Sequence, residues 1–238
     1  MLKMWLVLSL VAGISYAQIQ GEAPSQKRKT YTEIMPKEVV DLYVKNAKDL
    51  KASGLEKKSL KVGKEAPKIA LPLGGQKVAL NKIFETGPLV LKFYRGGWCS
   101  TCLKELKDYE ALYPEFKKAG AQILAISPDS GKMSKKTAET NHFSFDVLSD
   151  EGHEIARAFG LVYKENPKIL EHMKKTGINL ADYQSKNEGE LVLPGTYVIT
   201  QKGIVAFSFV DADYHVRAEP KSVLEVVQQI QKLSAAKN

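Results

Sequence analysis

Apolar and polar positions along the chain alternate between two periods, and the switches between them mark the elements. The run Leu89-Val90-Leu91-Lys92-Phe93-Tyr94 predicts a strand. Leu103, Leu106, Tyr109 and Leu112 then recur at helical spacing, which predicts a helix from Cys99 to about Ala119, stopped by Gly120. Gln122 to Ser127 reads as the next strand, Lys132 to Thr140 as a polar helix and Phe145 to Leu148 as a short strand. Glu151 to Phe159 reads as a helix ended by Gly160. Thr196 to Thr200 and Ile204 to Val210 flank Gln201-Lys202-Gly203 and predict a hairpin. Val223, Val226, Val227 and Ile230 form the inward face of a closing helix over Pro220 to Leu233.

This order, βαβαβα followed by ββα, predicts an α/β fold with a central mixed sheet and helices on both faces. Before it, Gly63, Pro67 and Pro72 interrupt Lys61 to Leu80, where short edge strands are expected. Pro36 to Ser53 reads as an N-terminal helix with Val39, Val40, Tyr43, Ala47 and Leu50 on one face and Gly54 as its stop. Whether it docks on the main domain or mediates pairing is open. Residues 162–190 are long and polar, with one helix expected near Pro167 to Lys175, and read as an insertion.

The first 17 residues have another character. Lys3 precedes the apolar stretch Met4 to Ile14, and Ser15-Tyr16-Ala17 offers small residues where a signal peptidase reads. The stretch is short against the roughly 20 residues of a membrane span. A cleaved secretory signal at 1–17, a flexible leader at 18–35, the N-terminal helix at 36–60 and the main domain at 61–238 are therefore expected. Export, to a bacterial periplasm, follows from the signal.

Composition is that of a globular protein: 238 residues, 44% hydrophobic and 26% charged. The net charge of +8 comes from dispersed lysines with no long basic tract bearing interleaved aromatics, so nucleic acid is not an expected partner.

The chemistry concentrates in Cys99-Ser100-Thr101-Cys102, the only two cysteines in the chain. A strand gives way to a helix there, so unpaired backbone N–H groups favour a thiolate. Two cysteines three apart close too small a loop to add much stability by chain entropy. Haem attachment needs a histidine at 103, which is leucine, and zinc needs further ligands that His142, His153, His172 and His215 do not supply at matching spacing. No cofactor or metal is implied, and redox chemistry of the pair is expected.

The stretch "FYRGGWCSTCLKEL", followed by "AQILAISPD", "VLSDEGHEIARAFGL", "LPGTYVITQKGIVAF" and "DADYHVRAEP", resembles the peroxiredoxin-like proteins of the alkyl hydroperoxide reductase and thiol-specific antioxidant superfamily. The resemblance implies a thioredoxin-like fold over roughly Lys61 to Leu233. It also implies a thiol-dependent peroxidase running a dithiol/disulfide cycle between Cys99 and Cys102, regenerated by an external thioredoxin-like reductant. Aligned with a peroxiredoxin, Cys102 takes the peroxidatic position, Cys99 falls where a threonine would be and Arg95 where a proline would be. Aligned with a thioredoxin, Cys99 becomes the attacking thiol and Cys102 the resolving one. That alternative, a thiol–disulfide oxidoreductase, stays open, as does a non-catalytic binding module on the same scaffold; a homodimer is compatible with either.

The resemblance assigns further residues. Pro194 takes the place of the cis proline that shapes a thioredoxin substrate groove, and Trp98 that of the tryptophan before the first cysteine. Arg217 is the candidate cation beside the thiols, although it does not match the standard peroxiredoxin arginine, whose place Pro194 takes; a salt bridge to Glu219 or an acidic neighbour is its plainer role. Arg95 either adds positive potential or is a solvated turn residue. Glu105 matches an acidic residue of the peroxiredoxin helix but is expected to be a solvated helix position.

Overall fold

A computed structural model describes residues 25–27, 35–185 and 189–235. The expected signal segment at 1–17 lies outside the described residues, as does most of the expected leader. Ser25–Lys27 depart from the expectation of a structureless leader: they pair antiparallel with Val216–Ala218.

The core is a five-stranded mixed sheet in the order Val205–Val210, Gly195–Ile199, Leu89–Phe93, Gln122–Ser127, Asp146–Ser149. The first two contacts are antiparallel and the last two parallel. The chain thus has the expected thioredoxin-like mixed α/β architecture. Leu89–Phe93 is buried at all five positions, as a central strand covered on both faces must be. Its side chains alternate: Leu89, Leu91 and Phe93 enter one core cluster, with Phe159, Tyr197 and Ile199, while Val90 and Tyr94 enter the other, with Cys99, Cys102, Leu106 and Tyr109. Period-two alternation therefore sends Lys92 to the cysteine side of the sheet.

The helix after the cysteines is two helices, Ser100–Ala111 and Tyr113–Lys118, not one. Pro114 explains the break, because it has no N–H to donate back and its ring crowds the preceding turn. The helix expected over Glu151 to Phe159 is shorter, Glu154–Ala158. Its start is fixed by Asp150, whose carboxylate accepts the N–H groups of Ile155 and Ala156 at 3.0 and 2.8 Å.

The helix Gly131–Asn141 starts on Ser130, whose hydroxyl accepts the Met133 N–H at 3.3 Å. Ser130→Ala removes that cap and is expected to lower stability by about 1 kcal/mol, read as a drop in denaturation midpoint at unchanged slope. The segment before the core forms the hairpin Ala70–Leu73 with Gln76–Ala79, turning on Gly74 and Gly75, both at positive φ.

The described residues of the segment 162–190 fold against the main core. Val162–Lys164 pairs with Glu190–Val192, and Ile169 and Met173 of the helix Pro167–Lys175 are buried in the core cluster. The N-terminal helix, Lys37–Ala52, buries no residue fully but lays Leu42, Tyr43 and Leu50 on the same cluster, so it docks within the chain. The closing helix, Pro220–Ala235, buries Val223, Val226, Val227 and Ile230 as its pattern required.

Candidate active site

Cys99 stands at the N-cap of the helix Ser100–Ala111, in extended backbone, and its sulfur accepts the Cys102 N–H at 3.3 Å. The two are joined as a disulfide with Cα atoms 5.2 Å apart. A sulfur in this place meets the amide donors and positive dipole end of the helix, which favour a thiolate once the bond is reduced. The two sulfurs differ in access. Cys102 has no exposed surface and Cys99 is 5% exposed. Cys99 lines a cavity of about 260 Å³, together with Trp98, Tyr43, Tyr214, His172 and Met173. Gly96, at φ 142°, admits no side chain: a Cβ there would collide with the Trp98 indole nitrogen and Asp129 Oδ1.

Behind Cys102 lies a buried chain of charges. Arg217 Nη2 is 3.6 Å from Cys102 Sγ. Arg217 Nε is 3.4 Å from Glu105 Oε2, and Lys92 Nζ is 2.7 Å from Glu105 Oε1. Lys92 Nζ also donates to Thr196 Oγ1 at 2.6 Å and sits 5.3 Å from the centre of the Tyr109 ring. Arg217 is thus brought to the thiols, with its carboxylate partner being Glu105. Glu105 corrects the expectation of a solvated helix position. It projects from the helix toward the sheet and is fully buried, which a carboxylate withstands only with cations on it.

Arg95 is no solvated turn residue either. It is 3% exposed, its guanidinium lies 4.0 Å from the Tyr214 ring centre and 4.8 Å from that of Trp98, and Nη2 is 3.6 Å from Glu165 Oε2. Glu165 in turn accepts from Asn46 Nδ2 at 2.8 Å and from the Tyr163 hydroxyl at 3.1 Å. Arg95 therefore ties the cysteine loop to residues 162–190 and to the N-terminal helix. Burial pushes the Tyr43 phenol up to about 12 and raises that of Tyr214, so both cavity walls stay neutral at ordinary pH.

Pro194 does not take the expected place. All described peptide bonds are trans, and Pro194 is buried without lining the cavity. The space over Cys99 is bounded instead by His172, Met173, Thr176 and Ile178. Trp98 does line the cavity, as expected.

Three participants were not read from the sequence. Lys92 looked like one position of an apolar run, although its place in the alternation points it at the cysteine helix. His172 reaches the cavity from residues 162–190, and spacing alone carries no sign of that. Asp129 ends the loop after Gln122–Ser127, at the carboxyl end of a parallel strand, where α/β proteins place their sites. It is fully buried, accepts the Gly97 N–H at 2.6 Å, and burial pushes its carboxyl up to about 7. Among the described residues no group of three or more His, Cys, Asp or Glu side chains converges as metal ligands would.

Comparison with known proteins adds to this geometry. The model of the AhpC/TSA family matches residues 62–208. The thiol-disulfide oxidoreductase ResA of Bacillus thuringiensis is 29% identical over 142 residues, covering 55% of this chain and 81% of its own. Peroxiredoxin Bcp of Xanthomonas campestris is 34% identical over 104 residues, 44% of this chain and 63% of its own. The crystal structure of peroxidoxin BcpB from Mycobacterium tuberculosis superposes with a TM-score of 0.55 at 22% identity, covering 73% of this chain and 98% of that one, a likeness of fold.

Proposed function

Because the chain belongs to the AhpC/TSA family, of which the relatives are thiol oxidoreductases, we propose that it is a thiol peroxidase working through the Cys99–Cys102 pair. The observation that carries this reading is the Arg217 guanidinium 3.6 Å from Cys102 Sγ. A fixed cation at the sulfur stabilises the thiolate, and it stabilises the charge that develops on oxygen as the O–O bond breaks.

The cycle balances as follows. The Cys102 thiolate attacks the terminal oxygen of a hydroperoxide ROOH; an S–O bond forms, the O–O bond breaks and ROH leaves after protonation. Cys102 is now a sulfenic acid. The Cys99 thiolate attacks that sulfur, the disulfide forms and water departs. Two electrons from an external dithiol, of the thioredoxin-like class, restore both thiols. Peroxide meets Cys102 in the reduced state, entering by the cavity that Cys99 lines. The secretory character of residues 1–17 supports an exported, periplasmic setting.

A second reading has its own observation: Cys99, not Cys102, is the sulfur at the cavity, the order of access that thiol–disulfide exchange through Cys99 needs. One variant separates the two. Arg217→Gln is expected to slow hydroperoxide-driven disulfide formation about a hundredfold, followed by rapid mixing of reduced protein with excess peroxide and thiol counting. Reduction of a small disulfide through Cys99 is expected to change little. Equal loss in both assays, or loss only in the second, removes the peroxidase reading.

A further inference from the structure

A buried guanidinium that leaves hydrogen-bond donors unused calls for an explanation, because a charged group pays its full desolvation cost for each bond not made. Arg95 is 3% exposed and lines the same cavity as Cys99, and its Nε and Nη2 have no hydrogen-bond acceptor among the described residues. Its charge is balanced, but these donors are unspent. Glu165 Oε2 lies 3.6 Å from Nη2, too far for a hydrogen bond. The Glu165 oxygens are engaged elsewhere: Oε1 accepts from Asn46 Nδ2 and the Asn166 N–H, both at 2.8 Å, and Oε2 accepts from the Tyr163 hydroxyl at 3.1 Å. The Trp98 and Tyr214 rings hold the guanidinium at 4.8 and 4.0 Å, and the Tyr214 phenol is a hydrogen-bond partner, yet Nε and Nη2 remain unspent.

A second buried nitrogen meets the same cavity. His172 Nε2, on the helix Pro167–Lys175, has no hydrogen-bond partner among the described residues, and its ring stands edge-on to Tyr43 at 6.0 Å. The other walls are mostly ring and aliphatic surface, from Tyr43, Trp98, Tyr214, Met173 and Ile178. A few polar groups converging on an otherwise apolar space make the pattern of a ligand site. At about 260 Å³ the space is smaller than the roughly 300–1,000 Å³ of sites for drug-sized ligands, so it suits a small molecule. The planar guanidinium matches the two oxygens of a carboxylate, and Cys99 is the sulfur at hand. We propose that this cavity is a subsite for a small carboxylate-bearing thiol: Arg95 and the Nε2–H tautomer of His172 bind the carboxylate while the ligand's sulfur exchanges with Cys99. This rests on the Cys99–Cys102 pair cycling between dithiol and disulfide, which both readings above require. A thiolate RS⁻ attacks Cys99 Sγ; the mixed disulfide forms, the Cys99–Cys102 bond breaks and Cys102 leaves as a thiolate beside Arg217. A second RS⁻ attacks the ligand's sulfur, Cys99 leaves as a thiolate and RSSR departs, so two thiols are oxidised as one disulfide is reduced.

The test is stopped-flow reduction of the oxidised full-length protein, with 3-mercaptopropionate as the probe, its neutral amide as the control and rates compared per thiolate. The same two thiols acting on hydroxyethyl disulfide, which has no binding site, set the intrinsic ratio of acid to amide. On the protein the acid is expected to be favoured about tenfold beyond that ratio. Arg95→Met combined with Glu165→Gln removes one positive and one negative charge, so the formal net charge of +8 is kept. This double variant is expected to return the ratio to its intrinsic value. His172→Phe, which keeps the ring and removes the donor, is expected to lower the preference about threefold. A preference due to the basic surface as a whole, or a merely structural role for Arg95, would leave the ratio high in the double variant, and either result overturns the proposal. Equal rates per thiolate for acid and amide on the parent protein, beyond the intrinsic ratio, overturn it with no variant needed. Should the double variant not fold, an undiminished preference in His172→Phe overturns it instead. A pair that neither thiol nor dithiothreitol reduces removes the redox reading itself, whereas equal rates strike only the subsite.

Discussion

Serine at position 102 is expected to reduce hydroperoxide consumption to the uncatalysed background, whereas serine at position 99 is expected to leave one turnover intact. The asymmetry follows from where the charge is. Cys102 has the Arg217 guanidinium at 3.6 Å. Cys99 has the backbone amide of Cys102 and the helix end. A nucleophile is lost outright in Cys102→Ser, since a hydroxyl is a far weaker acid and nucleophile than a thiol and cannot be oxidised to a sulfenic acid. In Cys99→Ser the sulfenic acid forms and then waits, because no second thiol in the chain can close on it. Intact-mass measurement after one equivalent of peroxide checks this: one added oxygen on Cys99→Ser, none on Cys102→Ser. The reverse pattern, oxygen retained on Cys102→Ser and disulfide reduction lost in Cys99→Ser, identifies Cys99 as the attacking sulfur and hands the function to thiol–disulfide exchange.

Stability should fall as pH rises from about 4 to about 7, and Asp129 is the reason. Burial moves its carboxyl from an ordinary 3.8 to about 7 in the folded chain, against which the Gly97 and Ser127 hydrogen bonds pull only partly. A folded-state pKa above the unfolded one means that the fold holds the proton more tightly. The contribution is therefore complete below about 4, is lost progressively as the unfolded chain releases its proton, and is gone above about 7. At about 1.4 kcal/mol per unit, the whole effect is roughly 4 kcal/mol. Asp129→Asn keeps an oxygen for the Gly97 N–H and removes the charge. It is expected to abolish this slope and to be more stable than the parent at pH 8 by a few kcal/mol. His153, whose pKa burial lowers, acts with the opposite sign in both proteins, so the difference between them isolates Asp129. Urea midpoints at pH 5 and pH 8 for both proteins make the measurement, and parallel pH profiles would remove Asp129 as the cause.

Much of this architecture is legible in the chain because the sheet is built from strong local patterns. The run at Leu89 to Tyr94, the apolar run within Gln122 to Ser127 and the Gly203 turn each encode their element with no help from tertiary contacts. The junction at Cys99 is legible for the same reason, since strand period ends and helix period begins there. What fails is everything that depends on which distant residues meet. Glu105 looks like any acidic helix residue until the sheet face opposite it is known to carry Lys92. Arg95 looks like a turn residue until Tyr214 and Glu165 close on it from far along the chain. Pro114, by contrast, was readable: a proline in mid-helix announces a break, and apolar spacing on either side of it obscured the point. Residues 162–190 read as an insertion because they are polar, yet Tyr163, Ile169, Met173 and Leu180 among them are buried in the core cluster.

The sulfurs and their charge cluster are supplied by the sheet and its two nearest helical and strand neighbours, while the cavity outside Cys99 is bounded by His172, Met173, Thr176 and Ile178 from a segment that contributes nothing to that cluster. The cavity wall is thus shared between the cysteine loop, which brings Arg95 and Trp98, and a segment some seventy residues further along the chain. Exchanging the segment between Tyr163 and Leu191 would therefore reshape one wall of the cavity and, through Glu165, also loosen the hold on Arg95 beside Trp98, so the shape of the entrance and the setting of Cys99 change together.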